Sequence, residues 1–490
     1  MAAREAPLYI DGRWVDGISP AGAGAAARFE VLNPATSEPI AVVPDGGPEQ
    51  ARAAVDAAAR AFPKWAARTA LERGAILVKA RDILAGRLDA LARLITEENG
   101  KPVTEARGEV AFAIQYLPWF AEEARRAYGE IVPPPVPHKR LWVIHQPLGV
   151  VAAITPWNFP ATMVLRKIAP ALAAGCTVVL KPPKETPLTA LEIARAFEEA
   201  GLPPGVFNVV VGKRAAPIAD VFLADARVRK IAFTGSTEVG KVLMRGAADQ
   251  LKRVAFELGG NAPFIVFEDA DLPRAVENAV AIKYLRVGGQ SCICANRIYV
   301  QRPIADQFLA KFTEAVRAIK VGPGFEPGVQ VGPLINAETI DKVDDLVSEA
   351  VGQGARALAG GRRLTDGAYA RGFFYQPTVL TNVREEMRVA KDETFGPVAP
   401  VLTFETEAEV IARANDTTFG LAAYLSSRDL SRVVRVSEAL EYGLVCVNDA
   451  TGYTHEIPFG GYKESGLGRE GGRQGLLEYM EVKSISVNIS

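Results

Sequence analysis

The chain has 490 residues, too many for one ordinary hydrophobic core, and this length indicates two or three domains. Its 56 Lys and Arg residues balance 57 Asp and Glu residues without blocks of like charge, which argues against nucleic-acid and acidic-membrane partners. Four cysteines and three scattered histidines match no disulfide framework and no metal-ligand spacing. We therefore expect a reduced, cytoplasmic, metal-free protein whose partner is a small molecule.

The first third of the chain predicts a helical scaffold. Residues 1–7 lack the apolar stretch of a sorting signal, and no segment reaches the roughly 18 apolar residues of a membrane span, so we expect a soluble protein. Residues 48–128 are Ala-rich with helical periodicity and predict three or four amphipathic helices. The proline cluster in residues 131–137 then stops helix formation, and residues 139–145 predict a strand leaving the main body.

Beyond Gln146, strands and helices alternate, as is typical of a parallel sheet covered on both faces. The predicted strands are Gly149–Ile154, Thr177–Leu180, Phe207–Val211, Val228–Phe233 and Arg253–Leu258, with helices at Leu188–Ala200 and Thr237–Ala248. Right-handed crossovers then give a Rossmann-like, doubly wound sheet.

A second α/β series follows Gly259. Its predicted elements are strand Phe264–Phe267, helix Leu272–Tyr284, strand Arg297–Val300, helices Ala305–Ile319 and Ala337–Gly352, and strands Ala399–Phe404 and Val445–Asn448. The predicted fold class is therefore α/β, with a parallel-sheet cofactor domain and a second α/β domain.

Two segments of the first sheet predict a nucleotide site. Phe233–Gly240 follows an apolar strand and opens a helix, so the turn at Gly235 and Ser236 presents backbone N–H groups to an anion such as a pyrophosphate. Lys181 ends a neighbouring strand, where it can bond ribose hydroxyls. The alternatives are an ordinary helix cap and a solvated loop lysine.

Three further residues are candidates for covalent chemistry. Cys292 follows a Gly-Gly turn that lets a substrate approach the thiol, although most cysteines are inert core residues. Glu257 ends an apolar strand, where burial would raise its pKa toward that of a general base; the alternative is a surface glutamate. Asn158 lies in a rigid turn between two prolines that fixes its amide as an oxyanion donor or leaves it a simple turn residue.

Taken together, five motifs resemble the aldehyde dehydrogenase superfamily in order and spacing, over essentially the whole chain. They are Pro156–Pro160, Phe256–Gly260, Gly289–Cys292, Glu393–Pro397 and Pro458–Gly466. Segments 119–123, 161–174 and 292–297 are most similar to the succinate-semialdehyde dehydrogenase branch.

The resemblance implies a reaction and its catalytic residues. The Cys292 thiolate would attack the aldehyde, the Asn158 amide and the Cys292 N–H would hold the oxyanion, and Glu257 would activate water to hydrolyse the thioester. This built-in base argues against acyl transfer to a thiol such as coenzyme A. A non-catalytic binding relative is a further alternative, but both the nucleophile and the base are present.

The resemblance also implies a cofactor site for NADP or NAD. Its residues would be Thr155, Trp157, Lys181, Lys184, Gly235, Ser236, Glu393 and Phe395. Many NAD-preferring relatives carry a glutamate where this chain has Lys184, and a cation there favours the 2′-phosphate of NADP. The neighbouring Glu185 could restore a preference for NAD if the turn shifts by one residue.

The substrate implied by the branch is a carboxylated semialdehyde. Arg166 and Arg286 match two arginines that grip the substrate carboxylate, and succinate semialdehyde is the first candidate. The chain departs from the branch at Tyr453–His455, which leaves glutarate semialdehyde, 2-oxoglutarate semialdehyde and a broad aldehyde specificity open. Cys294, two residues after the nucleophile, is a possible redox partner for it.

The architecture implied by the resemblance has three parts. Residues 1–125 and 149–256 form the NAD(P)-binding domain, and residues 257–459 form the catalytic domain. Residues 126–148 and 460–490 form a small β oligomerisation arm with the C-terminal segment. Because such a strand pair needs a neighbour's sheet for stability, a homodimer or homotetramer is expected.

Overall fold

The computed structural model describes residues 4–16 and 27–490. Its strands are β1 (Arg4–Glu5), β2 (Leu8–Ile10), β3 (Arg13–Val15), β4 (Arg28–Leu32), β5 (Pro39–Pro44), β6 (Glu130–Val132), β7 (Lys139–Pro147), β8 (Val150–Ile154), β9 (Thr177–Lys181), β10 (Phe207–Val209), β11 (Val228–Thr234), β12 (Arg253–Glu257), β13 (Ala262–Val266), β14 (Ala295–Gln301), β15 (Arg356–Ala359), β16 (Arg363–Leu364), β17 (Phe374–Tyr375), β18 (Thr378–Thr381), β19 (Val398–Phe404), β20 (Ala422–Ser426), β21 (Leu444–Val447), β22 (Gly466–Leu467) and β23 (Met480–Asn488).

The α-helices cover both main sheets. They are α1 (Pro48–Ala66), α2 (Ala70–Gly86), α3 (Leu88–Asn99), α4 (Val103–Ala113), α5 (Tyr116–Ala124), α6 (Pro160–Ala174), α7 (Leu188–Glu199), α8 (Ala216–Ala224), α9 (Thr237–Ala248), α10 (Leu272–Lys283), α11 (Ala305–Arg317), α12 (Ala337–Gly352), α13 (Arg388–Lys391), α14 (Glu407–Asn415), α15 (Leu430–Ala439) and α16 (Gly472–Leu477). None of the helices in the described part of the chain is both long and apolar enough to cross a membrane.

The first sheet has eight strands in the order β22-β12-β11-β8-β9-β10-β2-β3. The five strands β12, β11, β8, β9 and β10 run parallel, while β22 at one edge and the β2–β3 pair at the other are antiparallel. This confirms the predicted parallel, Rossmann-like sheet. The chain reverses its direction of travel across the sheet between β8 and β11, and in open α/β sheets ligands bind at such a reversal.

The second sheet has seven strands in the order β15-β18-β19-β14-β13-β20-β21, all parallel to their neighbours except β15. This confirms the second α/β unit. Strand β20 was not predicted, because its Ala-Ala-Tyr-Leu-Ser sequence carries little strand propensity, and the burial of all five residues overrides that weak signal.

A third, antiparallel sheet joins β6, β7 and β23, and β7 pairs with β23 along nine residues of each strand. Here the C-terminal strand meets the strand after the proline cluster, as the arm prediction requires. The β22 segment, by contrast, pairs with β12 in the first sheet, although the prediction assigned residues 460–490 to the arm and C-terminal segment. The domain boundaries as a whole stay a prediction.

Candidate active site

Several predicted site residues lie at the carboxyl edge of four adjacent parallel strands. Thr155 follows β8, Lys181 ends β9, Gly235 and Ser236 follow β11, and Glu257 ends β12. The Thr155 N–H donates to the Lys181 carbonyl across 3.2 Å. The residues therefore meet at the point where the strand order reverses.

The turn after β11 begins a 12-residue helix, α9. The Ser236 Oγ caps this helix by accepting the Val239 N–H at 3.3 Å, and Gly235 and Ser236, at the positive end of the helix, line the cavity described next. A Cβ on Gly235 would lie 2.3 Å from the Phe233 ring, so the turn requires glycine. The buried hydroxyls of Thr155 and Thr234 have no hydrogen-bond partner in the described part of the chain.

A cavity of about 250 Å³ opens above this edge and brings most of the predicted residues together. The predicted residues that line it are Trp157, Asn158, Gly235, Ser236, Cys292, Glu393 and Phe395. Thr155, Lys181, Lys184 and Glu257 are not among its lining residues. The nucleophile candidate and the nucleotide-type turn therefore share one space.

Cys292 is half-buried and follows a tight turn. Gly289 adopts φ +79° there, and a Cβ on it would lie 2.4 Å from the Gly396 carbonyl oxygen. Burial raises the pKa of the Cys292 thiol to about 12, although the Arg166 guanidinium opposes this shift. Burial therefore favours the thiol form, and formation of the attacking thiolate requires removal of the proton.

Asn158 is held on both sides. The side-chain Nδ2 of Asn158 donates to the Gln290 backbone carbonyl at 3.0 Å. The backbone carbonyl of Asn158 accepts from the Lys101 ammonium at 2.8 Å. The side chain is only 2 % exposed yet lines the cavity, and its Oδ1 is buried without a partner among the described residues. Its Nδ2 carries a second N–H beyond the one that bonds Gln290. An oriented, spare donor beside Cys292 is the geometry that an oxyanion needs.

Glu257 is fully buried, and its Oε2 has no hydrogen-bond partner among the described residues. Burial, with help from the Glu470 carboxylate, raises the pKa of Glu257 well above its usual value, against the opposing charges of Arg166 and Lys167. The predicted upward shift is therefore present. A carboxyl group with a raised pKa and a free oxygen can take up a proton from water or from a thiol.

Arg166 is buried and ion-paired, and its role as a ligand of the substrate carboxylate stays a prediction. Its Nε forms an ion pair with Glu470 Oε2 at 2.7 Å, and its guanidinium lies 4.3 Å from the centre of the Phe459 ring. Lys167 bonds the other oxygen of Glu470. A buried cation needs such a partner, and the Arg166 charge also acts on the Cys292 thiol and on Glu257. Of the two predicted carboxylate ligands, Arg286 lines the second cavity described below.

Glu393 and Phe395 approach the cavity from the second sheet. The Glu393 Oε1 accepts the Gly260 N–H at 3.1 Å, and burial raises the pKa of Glu393 to about 7. Phe395 adopts φ +53° and meets the Trp157 ring edge-to-face at 5.5 Å. A bulky residue in this backbone region is strained, which fixes the aromatic wall of the cavity.

Gly260 makes a second close contact at the site. A Cβ on it would lie only 2.3 Å from the Cys292 carbonyl oxygen. Residues 258–261, which connect β12 of the first sheet to β13 of the second, therefore pass directly beneath the nucleophile.

A second cavity, of about 360 Å³, contains Arg286. Its lining residues are Glu105, Gly108, Glu109, Phe112, Phe159, Thr162, Leu285, Arg286, Thr451 and Tyr453. The Arg286 Nη2 donates to the Tyr453 hydroxyl at 2.6 Å, and the guanidinium also lies 4.7 Å from the centre of that ring. The Nη1 of Arg286 is buried without a partner in the described residues, so this end of the guanidinium can donate hydrogen bonds to a ligand.

Lys181, at the end of β9, and Lys184, three residues later, differ in environment. Lys181 is buried, and this burial lowers its pKa to about 8. The Lys184 side chain is 48 % exposed, and its Nζ lies 3.8 Å from Glu185 Oε1. The Lys184 ammonium and the Glu185 carboxylate, which the cofactor hypothesis sets against each other, therefore lie next to each other.

Cys294 is buried, and its Sγ donates to the Lys283 carbonyl at 3.6 Å. All four cysteines are free. A redox role for Cys294 stays a prediction.

Comparison with known proteins identifies the family. Residues 22–485 match the family described as "Aldehyde dehydrogenase family". The chain belongs to the aldehyde dehydrogenase family. This confirms the resemblance that the five motifs carried, and in this family context Cys292 and Glu257 lie on the motifs that suggested them.

Two curated relatives of this aldehyde dehydrogenase span nearly the whole chain. Glutarate-semialdehyde dehydrogenase of Pseudomonas putida is 49 % identical over 481 residues, 98 % of this chain and 97 % of the relative. Succinate-semialdehyde dehydrogenase [NADP(+)] of Escherichia coli is 50 % identical over 480 residues, again 98 % and 97 %. A solved structure named as an E. coli NADP dependent enzyme has a TM-score of 0.95 and 48 % identity, covering 99 % and 98 % of the two chains.

Three residues of this aldehyde dehydrogenase site were missed by sequence reasoning. Glu470 lies in a loop without a chemical motif, and only the fold brings it to Arg166. Glu105 lies on α4, whose periodicity indicated no more than a scaffold helix. Tyr453 was noted only as a departure from the branch, although that change already signalled a different substrate wall.

Proposed function

We propose that this aldehyde dehydrogenase oxidises a semialdehyde that carries an acid group, with succinate semialdehyde as first candidate and glutarate semialdehyde as second. The printed names of the two curated relatives support these substrates. The observation that carries the proposal is the shared cavity, in which Cys292 and Asn158 face the turn at Gly235 and Ser236. Arg286 in the neighbouring cavity supplies the charge for the acid group.

The residues at the sheet edge fit a dinucleotide cofactor, NADP or NAD, which would supply the hydride acceptor. The N-terminal end of α9 suits a pyrophosphate, and the unpartnered hydroxyls of Thr155 and Thr234 are spare groups for it. Lys181 would bond a ribose, and Glu393 with Phe395 would bound the nicotinamide end next to Cys292.

Cys292 acts first. Its Sγ adds to the carbonyl carbon as its proton leaves, and the raised pKa of Glu257 makes that carboxylate a competent acceptor. The spare Asn158 N–H and the Cys292 N–H stabilise the resulting oxyanion. Oxidation of the carbon leaves an acyl group on Sγ as a thioester.

Glu257 acts again in the second half-reaction. It first releases to solvent the proton that it took from the thiol, and its free Oε2 then takes a proton from water. The hydroxide adds to the thioester carbon, the C–S bond breaks, and the departing Cys292 thiolate takes the proton back from Glu257. The products are the carboxylic acid and the regenerated thiol. Because the base is part of the protein, no external thiol is required.

Replacing Arg286 with alanine tests the substrate class. One charge-assisted bond contributes about 1.5–3 kcal/mol, so kcat/KM for succinate semialdehyde should fall about 10- to 100-fold while that for uncharged butanal stays unchanged. Arg274→Ala, an exposed arginine at the start of α10, is the matched control and should alter neither value. Equal losses for both aldehydes would contradict a role in reading the acid group.

The cofactor preference follows from Lys184. We propose that NADP is favoured, because the Lys184 ammonium can pair with the 2′-phosphate. Lys184→Glu should lower the ratio of kcat/KM for NADP to that for NAD by about tenfold, a modest value because this side chain is half exposed. Glu185→Gln removes the competing carboxylate and should raise the ratio. An unchanged ratio in Lys184→Glu would show that Lys184 points to solvent.

The three-stranded arm supports a proposal for assembly. Ile131 is 82 % exposed and lies opposite Trp142, which is 41 % exposed and has Ile485 as its partner on the other side. Val482, 63 % exposed, pairs with His145 and lies on the other face of the sheet. Apolar side chains on a small antiparallel sheet need cover, so we propose that the arm packs on a second copy in a homodimer or homotetramer. A monomeric mass by light scattering would contradict this.

A further inference from the structure

Two glutamates one helical turn apart on α4 face the second cavity, but only one of them is satisfied. Glu109 Oε2 pairs with the Lys101 ammonium at 2.5 Å, and its Oε1 accepts the N–H groups of Ala161 and Thr162. Glu105 Oε1 accepts the Val287 N–H at 2.8 Å, whereas its Oε2 is buried without a partner among the described residues. One carboxyl oxygen at the cavity wall is therefore unaccounted for.

Arg286 does not compensate for this oxygen. Glu105 forms no ion pair within 4.0 Å in the described ranges, and the Arg286 Nη1 is itself buried without a partner. An ionised, unpaired carboxylate at this position would be costly, and it would repel an acidic substrate. A neutral carboxyl group would instead present an O–H donor to the cavity.

We infer that Glu105 is a specificity-determining residue that acts in its neutral form. Oε1 accepts from the Val287 N–H, and the O–H on Oε2 donates to the acid group of the aldehyde, beside the free face of Arg286. This inference rests on the proposed function, because it assigns a second donor for the same acid group. The acid group of the aldehyde would then bond both of the buried atoms that lack a partner, Oε2 of Glu105 and Nη1 of Arg286.

The surrounding charges agree with a neutral Glu105 near physiological pH. Burial raises the pKa of Glu105 to about 7, the Glu109 carboxylate adds to this, and Lys101 and Arg286 oppose it. The Tyr453 phenol faces the same cavity from the loop before Phe459. Since the raised pKa marks the loss of the neutral form with rising pH, the donor is present below about pH 7 and absent above it.

The test compares two aldehydes across pH, so that titrations of Cys292 and Glu257 cancel. In the wild-type enzyme, the ratio of kcat/KM for succinate semialdehyde to that for butanal should fall about tenfold from about pH 6 to about pH 9. Glu105→Gln keeps both an acceptor for Val287 and a donor for the substrate. Its ratio should therefore stay high and become independent of pH.

Three results would overturn the inference. They are a wild-type ratio that does not change with pH, a Glu105→Gln ratio that keeps the wild-type slope, and equal losses for both aldehydes in Glu105→Gln. The wild-type profile alone is decisive if the variant fails to fold. An enzyme that prefers butanal at every pH would overturn the proposed substrate class as well, whereas a pH-independent preference for succinate semialdehyde would overturn only the role of Glu105.

Discussion

Cys292→Ala should abolish oxidation of every aldehyde, with a loss of at least about a thousandfold in kcat, because no other side chain in the described cavity can form the thioester. The residue is half-buried and small, so the change should leave the fold intact. NADPH fluorescence titration should show unchanged cofactor binding, since Cys292 contributes only the reacting atom. Turnover would be measured by NADPH absorbance with succinate semialdehyde and with butanal.

The neighbouring thiol provides the matched control for this variant. Cys294 lies in the same loop but is buried against the Lys283 carbonyl, and Cys294→Ala should retain most of the activity. Residual wild-type-like turnover in Cys292→Ala, or a comparable loss in both variants, would refute Cys292 as the nucleophile.

Glu257→Gln should separate the two half-reactions. Without the base, both half-reactions slow, but thioester hydrolysis should slow more, by about 10²- to 10⁴-fold, because the thiol can lose its proton to water. Steady-state kcat should therefore fall further than the rate of acylation. Rapid mixing with succinate semialdehyde should then give a burst of at most one NADPH per site, followed by a slow phase. Because burial raises the pKa of Glu257, the wild-type hydrolysis rate should increase with pH as the carboxylate form is populated.

Hydroxylamine distinguishes a trapped thioester from a damaged site. This external nucleophile needs no general base, so it should release the acyl group from Glu257→Gln as a hydroxamate and partly restore turnover. Glu277→Gln, at an exposed glutamate on α10, is a suitable control and should behave like the wild type. A variant with neither a burst nor rescue would assign Glu257 to the first step alone or to structure.

The parallel sheet and several site positions were predictable because local sequence carries them. Strand-end residues such as Lys181 and Glu257 follow directly from the apolar runs before them, and the carboxyl ends of parallel strands share one edge. Turns that require glycine can also be identified from the sequence. A Cβ on Gly235 would collide with the Phe233 ring, and one on Gly289 would collide with the Gly396 carbonyl. These signals need no knowledge of distant residues.

Pairings between distant segments were not predictable. Arg166 looked free to meet a substrate because its partner, Glu470, lies 304 positions later and carries no local signal. The raised pKa of the Cys292 thiol likewise depends on burial by the assembled fold rather than on its Gly-Gly turn. Such properties arise from tertiary contacts, which one sequence does not contain.

Residues 258–261 connect the first sheet to the second next to Cys292, so the geometry of the candidate site depends on how the two sheets are positioned relative to each other. The base precedes this short link, the link itself holds the Glu393 carboxylate through the Gly260 N–H, and its backbone touches the Cys292 carbonyl. A rotation of one sheet against the other would change the separation between the Glu257 carboxylate, the proposed base, and the Cys292 sulfur. Substitutions in the packing between the sheets should therefore act as kinetic variants even where they contact no reactant, and this link couples domain alignment to chemical rate.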